Sequence, residues 1–280
     1  MPKEKLVWVS GSFLLFDGLL LLALGRTYLR VWRIGSERSP YRRAVNWFLQ
    51  RPSWLLRTMG AAEAALGLAV LSRVSVRVRT LYRAIAGFYD TIAPVWTEWG
   101  YPEAYDALDR TYADCLPEGG HVLDLGCGTG ANLERLIDLD LPFGSYTGVD
   151  LSEHMLARAR AKFGSLPNVR FEQTDLEVDP LPDRRFDLIV STWVFEHLSE
   201  PTQVATKAWD RLRPGGHMVL LFEVKTDAWR DRVVDAVWGF FSAHLLREEE
   251  YRHIPGVISL RRFPGIGPML ALLVSRQPTS

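Results

Sequence analysis

The sequence predicts an α/β protein, a largely parallel sheet with helices on both faces, preceded by a hydrophobic helical segment. Three observations predict it. From His121 onward short β-branched runs alternate with helical stretches, which is how a parallel sheet with crossover helices reads. At residues 122–130 a strand-like run enters a glycine-rich turn, VLDLGCGTG, that opens a helix. Before residue 84 the pattern is different: long apolar runs bordered by arginines.

The chain has 280 residues, 48% hydrophobic and 24% charged, with two cysteines, so disorder, collagen and a disulfide framework are excluded. Its 33 basic and 33 acidic side chains cancel, but unevenly along the chain. Residues 1–83 hold 14 of the basic and 4 of the acidic residues, a net +10 that leaves −10 for the remainder. Such asymmetry points to a nucleic-acid or a lipid neighbour for the basic part.

The basic part flanks apolar runs, which favours lipid, and no nucleic-acid partner is expected. Leu6 to Leu24 has one charge, Asp17, over 19 residues. At 1.5 Å per residue that is roughly 28 Å, close to the hydrocarbon thickness of a bilayer. No small-x-small cleavage site follows it. A second run, Trp54 to Leu71, is interrupted by Arg57 and Glu63. Arg26, Arg30, Arg33, Arg38, Arg42, Arg43 and Arg51 lie between the runs with Trp32, Tyr41 and Trp47, as at a membrane interface. Residues 1–83 are therefore expected to be a membrane anchor of one or two spans. One span with an interfacial second helix keeps the arginines on the side of the catalytic domain, which would face the cytoplasm. The alternative is a soluble helical cap that packs on that domain.

In residues 84–280, strands are expected at 121–125, 145–149, 168–173, 186–191 and 216–223. Helices are expected at 131–139, 152–163, 201–212 and 228–246. Two further runs, GVISLRRF and GIGPMLALLVSR, form a hairpin at the sheet edge and bring the strands to seven.

The glycine turn has the spacing G-x-G-x-G after an acid, Asp124, rather than the G-x-G-x-x-G of dinucleotide enzymes. It offers backbone N–H groups and room for a ligand against the main chain. Asp124 would repel a pyrophosphate and suit an ammonium group. Asp150, at the end of the second strand, is placed to accept both hydroxyls of a ribose. Asp175 follows the third strand and either accepts a hydrogen bond from an adenine amino group or caps a turn. Together these residues specify an adenosine with a cationic amino-acid tail.

Residues from about Phe88 to Arg276 resemble a class I S-adenosylmethionine-dependent methyltransferase of the quinone- and sterol-type branch. The resemblance rests on VLDLGCGTG, GVDLSEHML, RFDLIVSTWVFEHL and Leu212-Arg213-Pro214-Gly215-Gly216, in that order. It implies a Rossmann-like sheet of seven strands, order 3-2-1-4-5-7-6, and S-adenosyl-L-methionine as cofactor. It further implies that Asp124, Gly126, Cys127, Gly128 and Gly130 lie along the methionine part of the cofactor, with Cys127 a small filler of the loop. Asp150 and Leu151 would hold the ribose, Asp175 and Leu176 the adenine, and Ser191 with Thr192 would face the methyl group. In LYRAIAGFYDTIAP, Tyr89 stands where a tyrosine closes over the cofactor. The following Trp96 to Tyr101 departs from the quinone enzymes, so a quinone is one acceptor among several.

His197 or Glu196 is placed to take a proton from an acceptor, though a histidine at a helix start is as often bonded to backbone. Trp229, Trp238, Phe240 and Phe241 line an acceptor pocket or form core. No metal site is expected. The expectation is thus a methyltransferase acting on a lipophilic or membrane-resident acceptor, with membrane lipids as partners of residues 1–83. A soluble small-molecule methyltransferase and a non-catalytic cofactor-binding membrane scaffold are the alternatives.

Overall fold

A computed structural model describes residues 3–31, 40–71, 100–228, 243–265 and 267–279, together with Asp231, Val234, Asp235 and Trp238; in the first helix, side chains are described from Phe13 onward. The chain divides into two compact units, Met1–Val76 and Arg77–Ser280.

The second unit is built on strands β1 (Gly120–Leu125), β2 (Phe143–Asp150), β3 (Val169–Gln173), β4 (Phe186–Thr192), β5 (Leu212–Val224), β6 (Val257–Phe263) and β7 (Met269–Arg276). They form one sheet in the order β3-β2-β1-β4-β5-β7-β6, with β7 antiparallel to both neighbours. This is the expected order. Alternation explains how one sheet supports two cores. Val122, Tyr146, Leu188, Val190, Val219 and Leu221 enter one buried layer, and Leu123, Val149, Ile189, Met218, Leu220 and Phe222 enter the other. Both faces of the central strands are apolar because both are covered.

The described helices of this unit are α5 (Pro102–Cys115), α6 (Ala131–Asp138), α7 (Glu153–Phe163), α8 (Pro201–Trp209) and α9 (Glu248–Tyr251), with a turn of 3-10 helix at Phe195–His197. Helices α5 to α7 supply Leu108, Leu133 and Leu156 to the first layer, and α8 supplies Val204 and Ala208 to the second.

Three expectations change. Strand β5 starts at Leu212, because Leu212 pairs with Phe186 across a bulge and the proline-glycine turn lies inside the strand. Helix α5 occupies part of what reads as a variable insertion, with Tyr101, Tyr105, Leu108 and Tyr112 buried at helical spacing. The helix expected at 228–246 stops short of residue 243, where the backbone is extended and Leu246 bridges Val224.

In the first unit, α1 (Lys3–Leu24), α2 (Arg26–Val31), α3 (Pro40–Leu49) and α4 (Ser53–Leu71) form a helical hairpin. Gly18 lies on Ala64 and Gly60, and Gly60 lies on Leu22, so α1 and α4 run antiparallel. The expected membrane span is corrected here. Among the described residues no helix is long and apolar enough to cross a membrane. The physical reason lies in α1. Its apolar side chains are interrupted by an acid. Asp17 sits among them and accepts a hydrogen bond from the Tyr28 hydroxyl. In α4 the run is broken by Arg57 and Glu63.

Candidate active site

The glycine loop between β1 and α6 is held by its own N–H groups. Gly126 and Cys127 donate to the Val149 carbonyl at 2.8 and 3.0 Å, Gly130 donates to the Cys127 carbonyl at 2.9 Å, and Gly128 donates to Asp150 Oδ2 at 2.9 Å. These donors tie β1 to β2 and are not turned out to a ligand. This corrects the expectation that the loop presents these N–H groups to a ligand. What the loop offers is space. Gly128, at φ +54°, would carry a Cβ no closer than 3.8 Å to any neighbour, the nearest being Met155 Cε. Gly126, at φ +69°, is different: a Cβ there would stand 2.3 Å from Val194 Cγ2.

The loop borders a cavity of about 200 Å³ at the carboxyl ends of β1, β2 and β4, measured between described residues. It is lined by Gly126, Gly128, Asp150, Leu151, Ser152, Met155, Asp175, Leu176, Glu177, Thr192, Trp193, Val194, His197 and Leu198. Asp150 is fixed from two sides, by the Gly128 N–H on Oδ2 and the Ser152 N–H on Oδ1 at 2.7 Å. Burial raises its pKa from the ordinary carboxylate value, and the two N–H bonds work against that shift. Each oxygen keeps acceptor capacity beyond the bond it already makes, as an acceptor of two hydroxyls requires.

Asp175 makes the turn cap that is one of its two expected roles. Its Oδ1 accepts the Glu177 N–H at 3.1 Å, a turn cap, and the residue lines the cavity beside Leu176. The loop that carries them is fastened to α8. Glu177 Oε1 accepts the N–H groups of Ser199 and Glu200, at 2.7 and 3.2 Å, and Lys207 Nζ donates to the Leu176 carbonyl at 2.6 Å.

Four of the described cofactor-binding candidates lie outside the cavity wall. Asp124 is fully buried behind the loop, where Tyr146 donates to Oδ2 and Asn132 to Oδ1. Burial pushes its carboxyl up to about 7. Cys127 is buried, and a Cβ at Gly148 would stand 2.7 Å from its Sγ, so it fills the gap between loop and sheet. Gly130 caps α6 at φ +91° beneath Phe163. Ser191 Oγ donates to the Leu125 carbonyl at 2.8 Å and stitches β4 to β1. Tyr89 lies outside the described residues, as do Trp229, Phe240 and Phe241.

The paired candidates Glu196 and His197 separate. His197 lines the cavity. Glu196 is turned toward β5, where Oε1 accepts the Glu223 N–H at 2.8 Å and Oε2 has no hydrogen-bond partner. Burial, then the neighbouring Glu223, drives its carboxyl up to about 8. Of the two proton-acceptor candidates, His197 alone lines the cavity. Trp238 donates to Glu223 Oε2 and belongs to this polar cluster, away from the cavity wall.

Sequence reasoning missed Trp193, which also lines the cavity. Its backbone is left-handed at φ +58°, its indole N–H donates to Tyr105 Oη at 2.7 Å, and its ring lies 5.9 Å from that of Tyr101. A bulky residue in that region is strained, and strain of this kind collects at functional sites. A larger opening of about 560 Å³ is lined by Asp235, His244, Leu245, Arg247, Glu249 and Glu250. It contains no residue of the glycine loop, and its charges are engaged: Asp235 with Lys225, Glu250 with His244. We assign the site to the smaller cavity.

Residues 122–216 match the model of a family described as a methyltransferase domain. That match spans β1 to the start of β5, the part of the sheet that carries the cavity. The relatives of this chain differ in what they act on. The domain and its flanks are 32% identical over 147 residues to a trans-aconitate 2-methyltransferase of Deinococcus radiodurans, covering 52% of this chain and 55% of that protein. They are 27% identical over 218 residues to the ubiquinone/menaquinone biosynthesis C-methyltransferase of Geobacter sulfurreducens, covering 73% and 82%. Among curated relatives the chain spans 34%, 30% and 55% of the length of three. The methyltransferase fold itself recurs in the N-methyltransferase NodS of Bradyrhizobium japonicum, solved with S-adenosyl-L-homocysteine, at a TM-score of 0.50 and 20% identity, over 63% of this chain and 86% of that one.

Proposed function

We propose that this protein transfers a methyl group from S-adenosyl-L-methionine to a lipophilic acceptor. The observation that carries the cofactor is the junction of the glycine loop with Asp150. The loop spends these N–H groups internally, while a fixed carboxylate faces open space above Gly128. That combination fits a ribose joined to a cationic tail. The cofactor supplies the chemistry, a methyl group on a sulfonium with a thioether as leaving group. The protein's part is to align the acceptor and exclude water.

At the β4 end the wall is Trp193, Val194 and Leu198, an apolar surface beside His197. This supports a lipophilic acceptor, and His197 is the group that would take a proton if the reacting atom carries one. The soluble small-molecule reading draws its support from the trans-aconitate relative.

The test is calorimetric titration with S-adenosyl-L-homocysteine. The wild-type chain should bind it, and Asp150→Ala should lower affinity at least tenfold, since a carboxylate bonded to two hydroxyls contributes about 1.5–3 kcal/mol. Unchanged affinity in the variant, or tighter binding of NADH, would overturn the reading. Turnover to S-adenosylhomocysteine with and without lipid extract then separates the two acceptor classes.

A further inference from the structure

The first unit carries an unusual distribution of side chains. In a hairpin that ends at water, large apolar residues meet between the helices and polar ones face out. Here the α1–α4 contact is made in part by small residues. A Cβ on Gly18 would stand 2.4 Å from the Ala64 nitrogen, and one on Gly60 2.5 Å from the Leu22 nitrogen, so the two backbones touch. The acids Asp17 and Glu63 share a hydrogen bond within the same hairpin. Outside are Phe13 and Phe16, each 58% exposed, Leu24 at 50% and Trp54 at 65%. Leu15, Leu21 and Leu56 are buried in the same unit, so the hairpin has an apolar interior and, with Phe13, Phe16, Leu24 and Trp54, an apolar exterior as well. Close backbone contact through small residues together with an apolar exterior suits an apolar surrounding.

Among the described residues of this unit the exposed charges have one sign. Arg26, Arg30, Arg43 and Arg57 are exposed on the same unit, and the Arg51 guanidinium lies 3.7 Å from the centre of the Trp47 ring, itself half exposed. An apolar surface bordered by arginine and tryptophan complements an anionic headgroup layer above acyl chains.

We propose that the α1–α4 hairpin docks into one leaflet of a bilayer containing anionic phospholipid, without crossing it. The apolar face enters the boundary of headgroups and chains, about 5–10 Å deep, and the arginines stay at the phosphates. This rests on the first unit alone and is independent of the chemistry assigned to the methyltransferase domain.

The experiment is co-sedimentation of the full chain with vesicles of phosphatidylcholine alone and of phosphatidylcholine mixed with phosphatidylglycerol. Binding should require the anionic lipid and weaken at about 0.5 M salt, where charges are screened within a few ångströms. Phe13→Ser with Phe16→Ser should reduce partition roughly tenfold or more, from the apolar surface lost. Arg43→Glu with Arg57→Glu should abolish the preference for anionic vesicles. Both pairs alter exposed residues, so S-adenosyl-L-homocysteine affinity should stay that of the wild type and serves as the folding control. Failure to sediment with any vesicle overturns the proposal, as does sedimentation indifferent to the phenylalanine pair. A dimer in light scattering that ignores vesicles assigns the surface to a second copy and overturns it too. Loss of cofactor binding in the wild-type chain would instead defeat the methyltransferase reading and leave the lipid result standing.

Discussion

Two glycines in one loop answer to different constraints, and substitution should separate them. Ala at Gly126 meets Val194 at 2.3 Å and a left-handed backbone, so Gly126→Ala should lower the melting temperature sharply. Ala at Gly128 meets only the backbone term, about 1–2 kcal/mol. Its methyl enters the cavity, so Gly128→Ala should stay folded and lose S-adenosyl-L-homocysteine affinity. Differential scanning fluorimetry and calorimetry on both variants check the contrast. A second residue-level prediction concerns Glu196. Its folded pKa, about 8, lies above the ordinary 4.5 because it is buried beside Glu223. Between those values the folded chain holds a proton that the unfolded chain has released, so this group's stabilising contribution is present below about 4.5 and is lost as pH rises through 8. Glu196→Gln cannot ionise, and its melting temperature should fall less between pH 6 and 9 than that of the wild type, by about 2–4 °C for each kcal/mol involved. Parallel slopes would show that Glu196 is ionised throughout. The acids and glycines of the site were legible because their spacing in the chain is set by backbone geometry. That Glu196 and His197 face opposite ways was not, since a single 3-10 turn separates neighbours by packing that no local pattern records. Trp193 was hidden for the same reason: its left-handed backbone is imposed by Tyr105, Tyr101 and the β5 carbonyl of Leu221.

Elements were legible where both faces of a strand are buried, because continuous apolar runs bounded by turns have few other readings. Four of the discrepancies came from contacts made at a distance. The bulge that starts β5 early depends on Phe186, and the extended stretch at 243–247 depends on Val224. Helix α5 is recognisable only once its tyrosines are seen to pack on the sheet, and the pairing of α1 with α4 through Gly18 and Gly60 is likewise invisible in either run alone. At this scale α8 has a task beyond covering the sheet. Its N-terminal N–H groups at Ser199 and Glu200 hold Glu177, and Lys207, in its last turn, holds the Leu176 carbonyl. The loop that brings Asp175 and Leu176 to the cavity is therefore clamped at two points on one helix. Glu177→Ala should release the first clamp at a cost of about 1 kcal/mol, the usual value for a lost cap. Calorimetry should then show S-adenosyl-L-homocysteine affinity reduced roughly fivefold, while the melting temperature falls by only about 2–4 °C, in keeping with a loss of about 1 kcal/mol. An unchanged affinity would mean that the loop keeps its shape without α8.

For the whole molecule, the zero net charge conceals a +10 segment and a −10 remainder, and the structure divides the chain near that same boundary. Among the described residues, the two buried layers on either side of the sheet are formed by residues from Tyr101 onward. The hydrogen bonds that fix Asp150, the glycine loop and the α8 clamp are all made within the second unit. A chain beginning at Arg77 should therefore fold, keep S-adenosyl-L-homocysteine affinity within about twofold of the full chain, and lose vesicle binding. If the acceptor is delivered from a bilayer, the shortened enzyme should also lose its advantage on vesicle-borne acceptor, because docking raises the local concentration of anything dissolved in that leaflet. Its turnover of the same acceptor dispersed in detergent should be unaffected. Methyl-transfer assays on both chains, with acceptor in vesicles and in micelles, read this directly. Equal loss in both formats would place the hairpin in the catalytic step instead of in delivery.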